Sequence, residues 1–486
     1  MSVQSKALVA VLAFWLGSSL AQTESPAPAQ PKAKPKAKAS SNAPSYNELK
    51  ARLDQAMKTI DDMQRRLQTV EQQQLQQQLQ QERAQAAAAA APPPAPAAAP
   101  PAVAGAPVIA PGSVAEEGAP DADKARLEIY GHAMVDAIYD AKRMNPQWAA
   151  TMRPSQIPVN CPGDAGCGKD GTTTFSARQT SLGFKAYIPT TTLGMIKTDV
   201  SFDLFGSDGG THVHWLNAWA EFNMYGIGQY YSNFMDIDVF PNTIDYWGPS
   251  GMVFLRNPQL RITPFSRDGM TAAFSLEAPS SALDTGKLSQ VDPAFGAGVT
   301  AWNKWPDAVA SFRLDRDWGH LRFAGILREV GFQFPLTPES NPSGRKTGYG
   351  LNVSGAWKLS PRDTITGQLA GGHAIASYMN DGGVDLAPGT SLRAETVPSV
   401  GWLLYYGHKW SDKWSSAIGY SEHRQSNRGG QLPNAFHKGS YSSVNVLFYP
   451  VKNVTTGLEF IWGRREDKDA ASAVDNRLQF STKVTF

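Results

Sequence analysis

The chain has 486 residues, with 45 Lys+Arg against 43 Asp+Glu and only 2 cysteines. A formal charge of +2 excludes the basic imbalance of a nucleic-acid binder, and no apolar run approaches the ~20 residues that a spanning helix needs. Two cysteines cannot build a disulfide scaffold, although they can make one local clip.

At the amino terminus Lys6 precedes the apolar run 7–16, and Ser19, Leu20 and Ala21 supply a cleavage region before Gln22. This pattern predicts an export signal over 1–21, too short to span a bilayer. Residues 22–44 are a Pro/Ala/Lys low-complexity segment that cannot bury a core. Over 45–83 apolar residues recur at 3–4 spacing (Tyr46, Leu49, Leu53, Ala56, Ile60, Met63, Leu67, Val70), which predicts an α-helical coiled coil. At ~1.5 Å per residue such a rod would be roughly 60 Å long. A lone amphipathic helix has nothing of its own to pack against, so self-association is expected, with docking on the rest of the chain as the alternative. Residues 84–125 form an Ala/Pro-rich, semi-rigid tether.

From Arg126 onward the period changes to two. In the last segment Leu478, Phe480, Val484 and Phe486 share one face, while Arg477, Gln479, Ser481 and Lys483 share the other. The stretch 196–204 alternates in the same way, as does 127–137. Sixteen candidate strands can be counted, the first near Arg126, the sixth near Met252 and the last near Val474. Their connections alternate short (189–194, 316–319, 359–363, 411–413, 450–453) with long (141–174, 279–307, 332–346, 378–398). An even strand number with turns on one side and loops on the other predicts an all-β transmembrane barrel over 126–486, 16 antiparallel strands in the bacterial outer membrane. Both barrel ends then lie on the periplasmic side, and the N-terminal coiled-coil segment with them.

Three stretches carry a family resemblance: LEIYGHAMVDAIYD, FSARQTSLGFKAYIP, and GIGQYYSNFMDIDVFPNTIDYWGPSGMVFLRNPQLRITPF. Together with the heptad-bearing N-terminus they resemble the DcaP-type trimeric outer-membrane porins, over residues 127–486. The resemblance implies a homotrimeric diffusion channel for small anionic solutes such as dicarboxylates, with a periplasmic coiled coil. It is also what brings Arg178 and Arg256 among the expected solute contacts, because their parity is that of the lipid-facing residues. A bulge or a subunit interface would account for them.

Strand parity by itself turns Arg261, Arg313 and Arg322 inward, and Arg328 keeps the parity of Arg322. A guanidinium on a lumen wall stays charged and grips carboxylates bidentately. The alternative for each is pairing with carboxylates such as Asp315 and Glu329 in a satisfied wall network. The region after residue 125 holds 33 Lys+Arg against 32 Asp+Glu, so selectivity must come from arrangement. Asp236 and Asp238 lie between the fifth and sixth strands, where an infolded loop would set acids opposite an arginine row.

Cys161 and Cys167 stand in the first long loop, and a disulfide pinning that loop is expected. His212 and His214 share a face but lack a third ligand, so no metal and no cofactor is expected. His423 and Ser426 are three apart and fall on opposite strand faces, which removes the one enzyme-like pairing. The expected function is therefore an anion-preferring porin. The alternatives are a general non-selective porin and a structural barrel whose coiled coil tethers the outer membrane to the cell wall.

Overall fold

Alternation of residue character, carried through 14-residue strands, decides the architecture. Outward Val444, Val446, Leu458 and Phe480 are exposed, while their inward neighbours Ser443, Asn445, Glu459 and Gln479 are buried. The polar side chains therefore face inward, the reverse of a soluble sandwich, and the apolar face is what a bilayer would cover. The computed structural model describes residues 124–291, 298–334 and 343–486. The predicted export signal, low-complexity segment, coiled coil and nearly all of the tether lie outside the described residues.

Sixteen strands close into one antiparallel barrel. They are β1 Arg126–Asp140, β2 Ser181–Thr190, β3 Gly194–Phe205, β4 Thr211–Phe222, β5 Tyr225–Tyr231 and β6 Arg256–Arg267. Next come β7 Met270–Glu277, β8 Asp307–Arg316, β9 Gly319–Gln333, β10 Ser343–Lys358 and β11 Asp363–His373. The last are β12 Pro398–Ser411, β13 Trp414–Gln425, β14 Phe436–Phe448, β15 Val454–Asp467 and β16 Ser472–Thr485. Closure is made by β1 against β16, with Ala133 opposite Val484 and Asp140 opposite Arg477.

The sixth strand starts at Arg256, four residues later than the sequence pattern suggests, because 250–255 still belong to the preceding loop. Turns at one end are tight. Between β6 and β7 Asp268 and Gly269 both have positive φ, 55° and 66°, as a two-residue hairpin turn requires. At the other end the connections are long, and three of them (141–171, 232–255 and 374–397) turn into the barrel. Met152, Phe234, Met252, Ile375 and Tyr378 from these loops form its apolar core together with inward Tyr405, Tyr441 and Ile461.

Candidate permeation site

The loop 232–255 leaves the wall at the top of β5 and crosses the lumen. Its partners prove the path, because they are inward side chains from strands all around the barrel. Asn352 on β10 donates to Phe234 O at 2.8 Å, and Gly251 N donates to Ser421 Oγ on β13 at 2.8 Å. Ile244 N donates to Glu459 Oε2 on β15 at 2.6 Å, and Gln479 on β16 donates to Ile244 O at 3.1 Å. The returning limb passes so close to the wall that a Cβ on Gly401 would lie 2.4 Å from Gly251 O.

Three of the inward arginines lie together beneath the outgoing limb of this loop. Arg313 on β8 contacts Asp238 at 2.5 Å, Asp315 at 2.8 Å and Asp236 at 3.5 Å. Arg322 on β9, cross-strand neighbour of Arg313, donates to Asn233 O at 3.0 Å and to Ser311 Oγ at 3.2 Å. Arg261 on β6 donates to Tyr231 O and to Gln259 Oε1, and its guanidinium stands 5.6 Å over the Trp219 ring. Each arginine therefore also holds the loop or its root. Among these charges, water reaches Arg313, Asp238 and Asp315, whose side chains are 20%, 33% and 44% exposed. Arg261 and Arg322 lie deeper.

The acids behave differently from one another. Asp236 is buried and accepts from His320 Nε2 at 2.8 Å and Ser354 Oγ at 2.7 Å. Burial alone would raise its pKa, but those hydrogen bonds and the Arg322 charge hold it below the usual carboxylate range. Asp238, on the same loop, is left at the water surface, as is Asp315 on the wall. Asp236, Asp238 and His320 bring three potential ligand atoms within 4.8 Å of one another. The Arg313 guanidinium already supplies the cation at that cluster.

The remaining expected residues stand elsewhere. Arg328 is fully buried, bonded to Ser280 O and Ser377 Oγ, and paired with Asp307 at 3.2 Å and Asp385 at 3.7 Å. It ties loop 374–397 to the wall, away from the row. Arg178 sits in a kink, 177–180, that splits the second strand into Thr172–Ser176 and Ser181–Thr190. It donates to Gly209 O at 2.5 Å and Thr211 Oγ1 at 2.9 Å. Arg256 lies over the Tyr231 ring at 4.2 Å and donates to Tyr231 Oη at 2.6 Å. A kink thus displaces Arg178, whereas Arg256 begins its strand at the foot of the infolded loop. Cys161 and Cys167 are joined, and the loop they close is capped by Asp164, which accepts from Val159 N and Asn160 N. His214 faces Asp203 and His212 faces Asp208, so the two histidines serve separate carboxylates.

Two features carry little sequence signal. Arg153 of the first loop is sandwiched between Trp148 and Trp247, 4.1 and 4.0 Å from the ring centroids, and pairs with Asp381 at 2.9 Å. This clamp locks three loops together. Glu277, at the end of β7, accepts from Ser232 Oγ and Asn233 N and so fixes where the chain turns inward.

No protein-family model and no curated protein matches the chain. Among solved structures, the outer membrane channel DcaP of Acinetobacter baumannii superposes with a TM-score of 0.63 at 19% identity, over 76% of this chain and 99% of its own. An anion-selective porin from Comamonas acidovorans gives a TM-score of 0.48 at 8% identity, over 75% of this chain and 100% of its own. OmpT of Vibrio cholerae, in a loop L8 deletion form, gives 0.47 at 12% identity, over 75% and 100%. The chain therefore has the fold of a DcaP-type outer-membrane channel.

Proposed function

We propose that this protein is an outer-membrane porin that admits small hydrophilic solutes and prefers anions, dicarboxylates among them. The observation that carries the reading is the convergence of Arg261, Arg313 and Arg322 on one stretch of wall beside an infolded loop. Arg313 is partly open to water there, while Arg322 and Arg261 add positive potential behind it. A carboxylate crossing this level sheds part of its hydration, and a charge-assisted hydrogen bond of about 1.5–3 kcal/mol partly replaces it. Tighter binding would trap the solute and weaker binding would lose the preference. The family resemblance supports a dicarboxylate and a homotrimer in the outer membrane, with the N-terminal segment periplasmic.

One observation favours a second reading. Arg313 donates to Asp315 on its own strand and to Asp238 of the loop, and pairs with Asp236 of the loop at 3.5 Å, so the row faces the loop's two acids. Such a transverse field orients dipolar solutes without a binding site and describes a general porin. Flux measurements separate the two: a site gives dicarboxylate flux that saturates and blocks ion current, whereas a field alone gives flux linear in concentration.

A further inference from the structure

A cavity of about 110 Å³ lies beneath the returning limb of the infolded loop. Thr243 and Ile244 roof it, and its wall carries Gln179, His132 on β1, and Ser481 and Lys483 on β16. In the strand order this is the side of the barrel across from β8 and Arg313. Alternation along β16 brings Lys483 to the same inward face as Gln479 and Ser481. Register then sets it beside Met134 on β1 and Thr455 on β15. Gln479 holds Ile244 O from further up the strand, so the cavity lies on the tight-turn side of the loop.

Two donors meet this cavity without an acceptor from the chain. The inward arginines Arg313, Arg328 and Arg477 each have a carboxylate partner. The Lys483 ammonium has none, and no hydrogen-bond acceptor reaches it among the described residues. The Thr243 hydroxyl is buried and likewise unpaired. Asp136, the acid nearest in register, accepts from Ser481 Oγ at 2.6 Å and from Gln179 Nε2 at 3.0 Å. Those bonds hold it in the wall network above the cavity. His132 Nδ1 is engaged by Ser181 Oγ at 3.0 Å. A half-buried ammonium without a counter-charge is costly, and an anion supplies both the charge and the acceptors. Water would supply only the acceptors.

We infer that Lys483 and Thr243 form a second anion site of the lumen, across the barrel from the arginine row. Its ligands are small monovalent anions, chloride or a short monocarboxylate. The inference rests on the porin reading and deepens it. Size sets the class of ligand, because the cavity has the volume of a few waters. That is enough for a short carboxylate whose head meets the ammonium and the hydroxyl. A dicarboxylate would leave its second charge against Met134 and Ile244, apolar side chains that cannot solvate it. The two sites therefore sort anions: the row favours two charges and the cavity one.

The permeability of acetate relative to succinate, taken from reversal potentials of the full chain in planar bilayers, tests this. Lys483→Met is expected to lower that ratio about threefold, the size of one partly exposed charge contact. Lys483→Gln serves in its place should the first variant not insert. Thr243→Val is expected to lower the ratio by less, and Arg313→Ala to raise it. A ratio that Lys483→Met leaves unmoved, because acetate and succinate fall together or not at all, would overturn the site alone. A ratio that rises in Lys483→Met would overturn it too. A wild-type chain that conducts no ions would overturn the porin reading, and the site with it.

Discussion

The infolded loop is held at its two ends by different chemistry. Its outgoing limb, 233–238, meets the wall through charge: Arg313 with Asp238, Arg322 with the Asn233 carbonyl, His320 with Asp236. Part of that contact is open to water. Its returning limb, 242–251, meets the wall through buried backbone bonds at Ile244 and Gly251 and through Asp245, which lies 3.9 Å from Arg477. That contact is dry. A screened, exchangeable contact can give way to a passing ion, whereas a buried and satisfied one fixes position. The same loop thus contains a filter and an anchor, and substitutions in the two limbs should separate stability from selectivity.

The largest effect is expected on the anchor side. Arg477 is fully buried and bonds Asp140 at 2.6 and 2.9 Å. Arg477→Ala leaves that carboxylate, and Asp245 beside it, without a cation, a loss of about 3–5 kcal/mol for a broken buried pair. Denaturant unfolding in detergent should show the drop, and an unchanged midpoint would mean that the anchor is not where the fold is held. Gly401→Val comes next. Its side chain must displace the Gly251 backbone, and overpacking of this kind costs about 1–3 kcal/mol. Single-channel records should then show a noisier or wider conductance with the ion preference little changed.

On the filter side the order reverses, with small changes in stability and clear changes in selectivity. Arg313→Ala should move the reversal potential toward cations and weaken dicarboxylate block by about tenfold, the size of one lost charge-assisted hydrogen bond. Asp238→Asn should move the potential the other way and by less, because its carboxylate is already partly screened by water. Cys161→Ser, in the first loop and away from the row, should leave the reversal potential unchanged. A shift there would show that the first loop shapes the filter.

Much of this division was legible in the sequence, and the reason is periodicity. A period of two exposes the inward set directly, so Arg261, Arg313 and Arg322 could be placed on the lumen wall from parity alone. Parity says nothing about partners supplied by loops. Arg328 has the right parity, yet it lies higher on β9, where Asp307 and Asp385 enclose it. Arg178 has the wrong parity for the lumen because a kink interrupts its strand, and Ala177 O accepting from Thr180 N marks that kink. The Arg153 clamp was invisible because Trp148, Trp247 and Asp381 come from three loops far apart in sequence, with no spacing rule to connect them.

The zero-current potential of the wild-type channel across a potassium chloride gradient tests the central claim most directly. The row of Arg313, Arg322 and Arg261 predicts a potential on the chloride side, lowered toward zero by Arg313→Ala. A potential on the potassium side, or one that Arg313→Ala does not move, would contradict the assignment of ion preference to this row.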